Sequence, residues 1–381
     1  MEAKLDKGYA WVICFSCFWI TAICDGVAMA FGVLMPSVKK AYNTSSVMVA
    51  IIGSLHLAFM YLFSVPVAIM SKYFGPRKTT IIGSLVAAIT LLVSAFSPSW
   101  QILTASYGIV AGFGLGMAIF PAGFAPNMFF EKRLSVANAI VFSGSSMGYL
   151  ALAPLLSWIL ENYGLKEAFL LESGLTFTAA ATGLLIRDSP HTEESRNDGA
   201  SSKDTLREIK NDLKDALTNK RFVIYLAAYT LSGLVITIPV MFLPSMLTDL
   251  GIKLYQASLG ITIIGVFNML GRLLCGLLDL CPQYTIKTLG VSALGSGLSM
   301  AFMVPYKSML VTYIVCCFYG LLTGPIMALG PPAMVRLVKK ENLSTAMGLA
   351  ETSYGIVLLT GKIINYEHLS CDVKARLQVR F

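Results

Sequence analysis

The sequence predicts an all-α membrane protein, two bundles of transmembrane helices joined by one polar segment. Three observations carry that expectation. Of 381 residues, 56% are hydrophobic and only 13% charged, against about 25% charged in soluble globular chains. The mean hydropathy is +0.70, and the apolar residues gather in runs of about 20, the length that crosses a bilayer. A single long polar stretch, 187–221, interrupts the series.

Taken in order, the runs number eleven. They are Trp11–Met35, Val47–Met70, Thr79–Phe96, Ile102–Pro126, Ser135–Leu160 and Ala168–Ile186, then Phe222–Leu247, Ala257–Leu280, Thr288–Val304, Met309–Val335 and Ser344–Ile364. The opening "MEAKLDKGYAW" is short and hydrophilic, shows no cleavage motif, and precedes a run too long for a signal-peptide core, so the first span is expected to be uncleaved. Glycines and prolines inside the runs, as in "GFGLGMAIFPAG", suit close packing or kinks in membrane helices. The Gly-x-Gly-x-Gly in that stretch follows no strand and opens no βαβ unit, which argues against a nucleotide loop.

The polar stretch has two parts. "DSPHTEESRNDGASS" has the composition of a disordered segment. After it, Thr205 and Glu208 form a capping box, and Leu206, Ile209, Leu213 and Leu217 share one face. An amphipathic helix on the membrane surface is expected there. The chain then divides into 1–186, a six-helix bundle; 187–221, the cytoplasmic loop; 222–364, an incomplete bundle of five; and 365–381, a polar tail.

Charge fixes the orientation. With the N-terminus inside, the cytoplasmic side holds Lys4, Lys7, Lys72, Arg77, Lys78, Lys132 and Arg133, and later Lys287, Arg336, Lys339 and Lys340. The other side holds Lys39, Lys40, Lys166, Lys253 and Lys307. That bias predicts a cytoplasmic N-terminus. It also accounts for the net charge of +8 without a nucleic-acid partner. Of the two N-glycosylation sequons, Asn43 would then lie outside and accept a glycan, while Asn342 would lie inside and not.

The eight cysteines sit mostly within or beside apolar runs. Cys14 and Cys17 make a C-x-x-C with no second ligand pair, so small packing residues are favoured over metal or redox chemistry. His56, His191 and His368 are far apart, no metal site is legible, and no cofactor is expected. Without a spaced nucleophile–base or ligand set, an enzyme is disfavoured.

Six spans, a cytoplasmic loop and a second bundle describe the major facilitator architecture, in which a carrier rocks around a site near the midplane. Spans alone leave a channel as a rival. The motifs go further. "DKGYAWV", Asp6 to Val12, opens the first span; "FFEKRLSVANAIVFSGSSMG", Phe129 to Gly148, the fifth; and "FNMLGRLLCGLLD" lies in the eighth, with Arg272, Gly276 and Asp279 in register. These stretches resemble the signatures of the monocarboxylate transporter family, solute carrier family 16. Lys132, Arg133, Ala137, Asn138, Gly144 and Gly148 match, while Leu134 stands where another arginine is common. "SKYFGPRK", Ser71 to Lys78, is a degenerate form of the general facilitator loop. The resemblance spans about residues 6–360 and implies a plasma-membrane, multi-pass carrier of small organic acids or related solutes. A symporter and a single-span glycoprotein chaperone fit within what it implies.

Two departures stand out. In proton-coupled lactate carriers of the family an aspartate precedes the eighth-span arginine by four residues, and a lysine stands in the first span. Here the positions hold Asn268 and, by ungapped alignment, Met29. Proton coupling through those groups is therefore not expected. The polar tail leaves no twelfth span, which keeps open a truncated, non-transporting product that binds an assembly partner.

Arg272 costs about 2.5–3.5 kcal/mol to insert in hydrocarbon. It either snorkels toward the cytoplasmic water and closes a gate or faces the cavity and anchors a carboxylate through its planar fork. Asn268, Arg272, Cys275 and Asp279 share one helical face, as do Cys14, Thr21, Asp25, Met29 and Gly32 on the first span. Asp25 is read as a packing acid, a proton site or a partner for a cationic group, with Glu172 and Glu351 as weaker candidates. The substrate-binding set is therefore Arg272, Asn268, Asp25 and Met29, and the gating or coupling set Lys132, Arg133 and Asp279.

Overall fold

The computed structural model describes residues 6–187, 211–278, 285–303, 308–338 and 342–359. The described part of each apolar run is largely helical: α1 Tyr9–Ala41, α2 Ser46–Leu62, α3 Ser64–Phe74, α4 Pro76–Ser94, α5 Trp100–Phe129, α6 Leu134–Asn162 and α7 Leu165–Gly183. After the polar segment come α8 Lys220–Asp249, α9 Leu254–Leu278, α10 Thr285–Ala301, α11 Met309–Val335 and α12 Leu343–Leu359. The described residues contain no strand, in keeping with a medium where only helices and closed barrels satisfy their own backbone.

Seven of these helices are long and apolar enough to cross a membrane, and eight if α2 and α3, bent by 44°, count as one span. The other three runs, α7, α10 and α12, do not meet that length and composition on their own. Eleven spans therefore stay an expectation. The bend falls where Pro66 enters the first turn of α3: it offers no N–H to the preceding turn and crowds the carbonyl of Leu62. The freed backbone N–H of Val65 instead donates to Thr352 Oγ1 of α12 at 3.3 Å.

Local signals set the ends. Asn43 takes a left-handed φ of 44° after α1, and Ser45 then caps α2 by accepting from the Met48 N–H at 3.2 Å. Gly75, with φ 88°, precedes Pro76 at the start of α4. Asn219 caps α8 and also donates to the Leu337 carbonyl at 2.8 Å, tying α8 to the end of α11.

The sequence-predicted surface helix is described only over 211–218; Thr205, Leu206, Glu208 and Ile209 lie outside the described residues. Leu217 points outward at 53% exposure, and the buried residues are Asp212 and Ala216, one turn apart. Ala216 packs with Phe222 and Ala346. Asp212 accepts from the Thr345 hydroxyl at 3.1 Å and pairs with Lys72 at 3.6 Å. This short helix thus links α3 to α12.

Down the middle run α1, α6, α9 and α11, each packed on the next. Small residues allow it. A methyl at Gly144 or Gly148 of α6 would collide with the carbonyl oxygens of Phe18 and Ala22 on α1, a small-xxx-small contact. Gly112 and Gly116, from the Gly-x-Gly-x-Gly stretch, meet the carbonyls of His56 and Met60 on α2 in the same way. Those glycines serve helix packing.

Candidate functional site

The polar stripe foreseen on α1 lies against α6. Cys14 Sγ donates to the Ala137 carbonyl at 3.7 Å, and Thr21 Oγ1 to that of Val141 at 2.7 Å. One turn further, Asp25 accepts a hydrogen bond from Ser145 of α6 and another from the Tyr61 hydroxyl of α2 at 3.0 Å. Asp25 is 9% exposed, so these donors replace the water its carboxylate has lost.

The face foreseen on α9 lies against the other side of α6. Gly265, Asn268, Arg272 and Gly276 meet Leu150, Ser146, Phe142 and Ala139 in turn, so the two helices run antiparallel. Asn268 accepts from the Ser146 hydroxyl at 2.6 Å and donates to Thr323 Oγ1 of α11 at 2.9 Å. Arg272 is 5% exposed and donates to the Phe142 carbonyl. Its Nε makes no hydrogen bond among the described residues. The side chain is turned inward, where a buried donor asks for an acceptor.

Asp25, Met29, Asn268 and Arg272 converge on one cavity of about 90 Å³. Four residues predicted from three different arguments thus share a single space. Glu351 of α12 joins them, accepting from the Tyr229 hydroxyl at 2.9 Å. So do Tyr61, Tyr149, Tyr229 and Tyr354, which the sequence reading did not single out. Tyr354 lies three residues from Glu351 on the same helical face, a spacing that could have flagged it. Glu172 does not reach the cavity. It is fully buried on α7, and neither carboxylate oxygen is hydrogen-bonded among the described residues.

Lys132 and Arg133 stand apart from the cavity, exposed in the turn that leads into α6. Their backbone N–H groups, with that of Glu131, donate to the Asp6 carboxylate at 3.0–3.2 Å. Desolvation opposes it, but these bonds and the Arg133 charge hold the Asp6 carboxyl below its ordinary value. The first and fifth signatures therefore meet through Asp6, and Trp11 stacks edge-on against Phe130 with ring centres 5.0 Å apart. Asp279 lies outside the described residues. Asn43 is exposed, whereas Asn342 is half-buried with its sequon Ser344 at 6% exposure.

A largely apolar cavity with a few charged and polar groups, lined from helices on both sides of the central segment of a helical bundle, is the arrangement of a membrane transporter. The chain belongs to the Major Facilitator Superfamily, whose family model matches residues 16–361. It is 26% identical over 347 residues to monocarboxylate transporter 13 of Rattus norvegicus, covering 91% of this chain and 79% of that one. It is likewise 26% identical over 366 residues to monocarboxylate transporter 4 of Gallus gallus, covering 93% and 76%. Monocarboxylate transporter 2 of Mus musculus is 27% identical over 368 residues, covering 90% and 75%. These homologues are transporters, not enzymes.

Among solved structures, a D-xylose-proton symporter superposes with a TM-score of 0.68 at 15% identity, covering 93% of this chain and 90% of the other. A partially occluded, inward-open form of the xylose transporter XylE from E. coli also gives 0.68, at 17% identity and with 94% and 93% covered. At such identities the likeness establishes the fold alone.

Proposed function

We propose that this protein carries monocarboxylates or related small organic solutes across the plasma membrane by alternating access. One observation carries the reading: Arg272 is 5% exposed, its Nε has no hydrogen-bond partner among the described residues, and it borders a cavity inside the bundle. A guanidinium there offers a carboxylate the paired donors it accepts best. Asn268 orients the neighbouring hydroxyls, Met29 supplies apolar wall, and Asp25 adds a carboxylate to the same cavity. Residues 1–186 and 222–364 form the two moving halves, with 187–221 between them on the cytoplasmic face.

Coupling follows from Asn268. An amide cannot take up the proton that would accompany a monoanion. An uncompensated charge faces about 2.3 kcal/mol per 100 mV of potential, so uptake of a lone carboxylate into a negative interior is opposed. Efflux, exchange, a zwitterionic substrate or a proton site at another residue fits better. Lys132, Arg133 and Asp279 belong to the opening and closing of the cytoplasmic end. The test is counterflow: purified protein in vesicles preloaded with unlabelled substrate should accelerate entry of labelled carboxylate. Equal entry with empty and preloaded vesicles would contradict alternating access.

A further inference from the structure

The cavity holds two acids and one base. Asp25 and Glu351 are the carboxylates on its wall, and Arg272 the cation. With these groups ionised the formal balance is one negative charge. A monoanionic solute would make it two inside the bundle, where like charges repel more strongly than in water. A solute carrying an ammonium as well as a carboxylate leaves the balance unchanged. It would also give each carboxylate a partner besides the hydroxyl donors it already has.

The rest of the wall agrees. Tyr61 and Tyr354 pack edge-to-face with ring centres 4.9 Å apart, and Tyr229 and Tyr354 lie at 6.0 Å. The Tyr61 and Tyr229 hydroxyls are spent on Asp25 and Glu351, at 3.0 and 2.9 Å, and Tyr354 bonds Thr237 at 2.9 Å. A cluster of aromatic rings with acids behind it favours a cation. Arg272 and Asn268 stand on α9, whereas Asp25 is on α1 and Glu351 on α12. The acids and the base of the cavity therefore come from different helices. At about 90 Å³ the cavity suits a small solute whose two charges lie close together. A 2-amino acid carries them on one carbon.

Resting on the carrier reading above, we infer that the transported solute is a small zwitterion, its carboxylate on Arg272 and its ammonium between Asp25 and Glu351. The experiment uses the full chain in liposomes clamped at zero potential. Uptake is compared for labelled 2-amino and 2-hydroxy acids that share a methyl, isopropyl or isobutyl side chain. The amino acid of at least one pair should enter about tenfold faster, with no response to an imposed proton gradient. Glu351→Gln should bring that ratio toward one, and the wild-type ratio stands as evidence without any variant. Hydroxy acids entering faster, driven by an inward proton gradient, would overturn the inference while leaving the carboxylate carrier intact, because the acids would then be holding protons. Entry of neither class would overturn the carrier reading and this inference together.

Discussion

Asn268 holds Ser146 and Thr323 at once, accepting from the first at 2.6 Å and donating to the second at 2.9 Å. One amide on α9 thereby joins α6 and α11. The Thr323 hydroxyl hydrogen is directed to the carbonyls of Tyr319 and Gly320, which leaves its oxygen to accept from the amide. A carboxylate has none to give. The amide beside Arg272 is thus explained by the bonds it makes.

Asn268→Leu removes both bonds and leaves the buried Ser146 hydroxyl without that acceptor. It should destabilise the protein by about 1–3 kcal/mol, read as a lower melting temperature in detergent. Asn268→Asp keeps the Ser146 bond, sets an oxygen against Thr323 Oγ1, and places an acid one turn from Arg272. Transport by that variant should gain or steepen a dependence on external pH, measured as uptake under an imposed pH gradient.

The α1–α6 contact gives a packing test. Gly148→Leu would drive a side chain into the Ala22 carbonyl, an overpacking that costs about 1–3 kcal/mol or more. The variant should aggregate on size-exclusion chromatography. Gly290→Ala and Gly297→Ala, where nothing lies within 4 Å of the added methyl, should elute as the parent does.

Asp6→Asn should weaken the join between the start of α1 and the turn before α6, lowering the melting temperature at neutral pH. The sign with pH follows from the depressed carboxyl. A group more acidic when folded contributes its full stabilisation above its ordinary value of 3.8, and loses it as pH falls through the lower folded value. The gap between parent and variant should therefore be constant through neutral pH and close only in strong acid.

Asn43→Gln should abolish a glycan-dependent gel shift in cells that glycosylate this chain, and Asn342→Gln should change nothing. The exposed turn at Asn43 suits a glycan. A shift that depends on Asn342 would invert the orientation drawn from the loop charges.

Half of the site could be read from the chain because a charge or amide inside an apolar run is conspicuous, and helical spacing says what shares its face. That is how Asp25, Met29, Asn268 and Arg272 could be gathered. The tyrosines were not legible, since in a membrane chain they read as apolar bulk until a partner on another helix defines their role. Glu351 needed Tyr229, 122 residues away, to become more than a stray acid. The break between α2 and α3 was hidden in one continuous run, where Pro66 is compatible with either a kinked or an unbroken span. Asp6 shows the same limit: two signatures were visible, but that the carboxylate of one binds the backbone of the other, 125 to 127 residues on, is tertiary.

The central claim is that Arg272 binds the carboxylate of the transported solute. Its most direct test is uptake of radiolabelled carboxylate solutes by Arg272→Ala and Arg272→Lys, at expression and surface levels matched to the parent. Alanine should abolish uptake with the protein still folded and inserted, and lysine should restore little of it, because a point charge does not reproduce the fork. Normal transport by Arg272→Ala would contradict the account and leave the arginine a gate or packing residue.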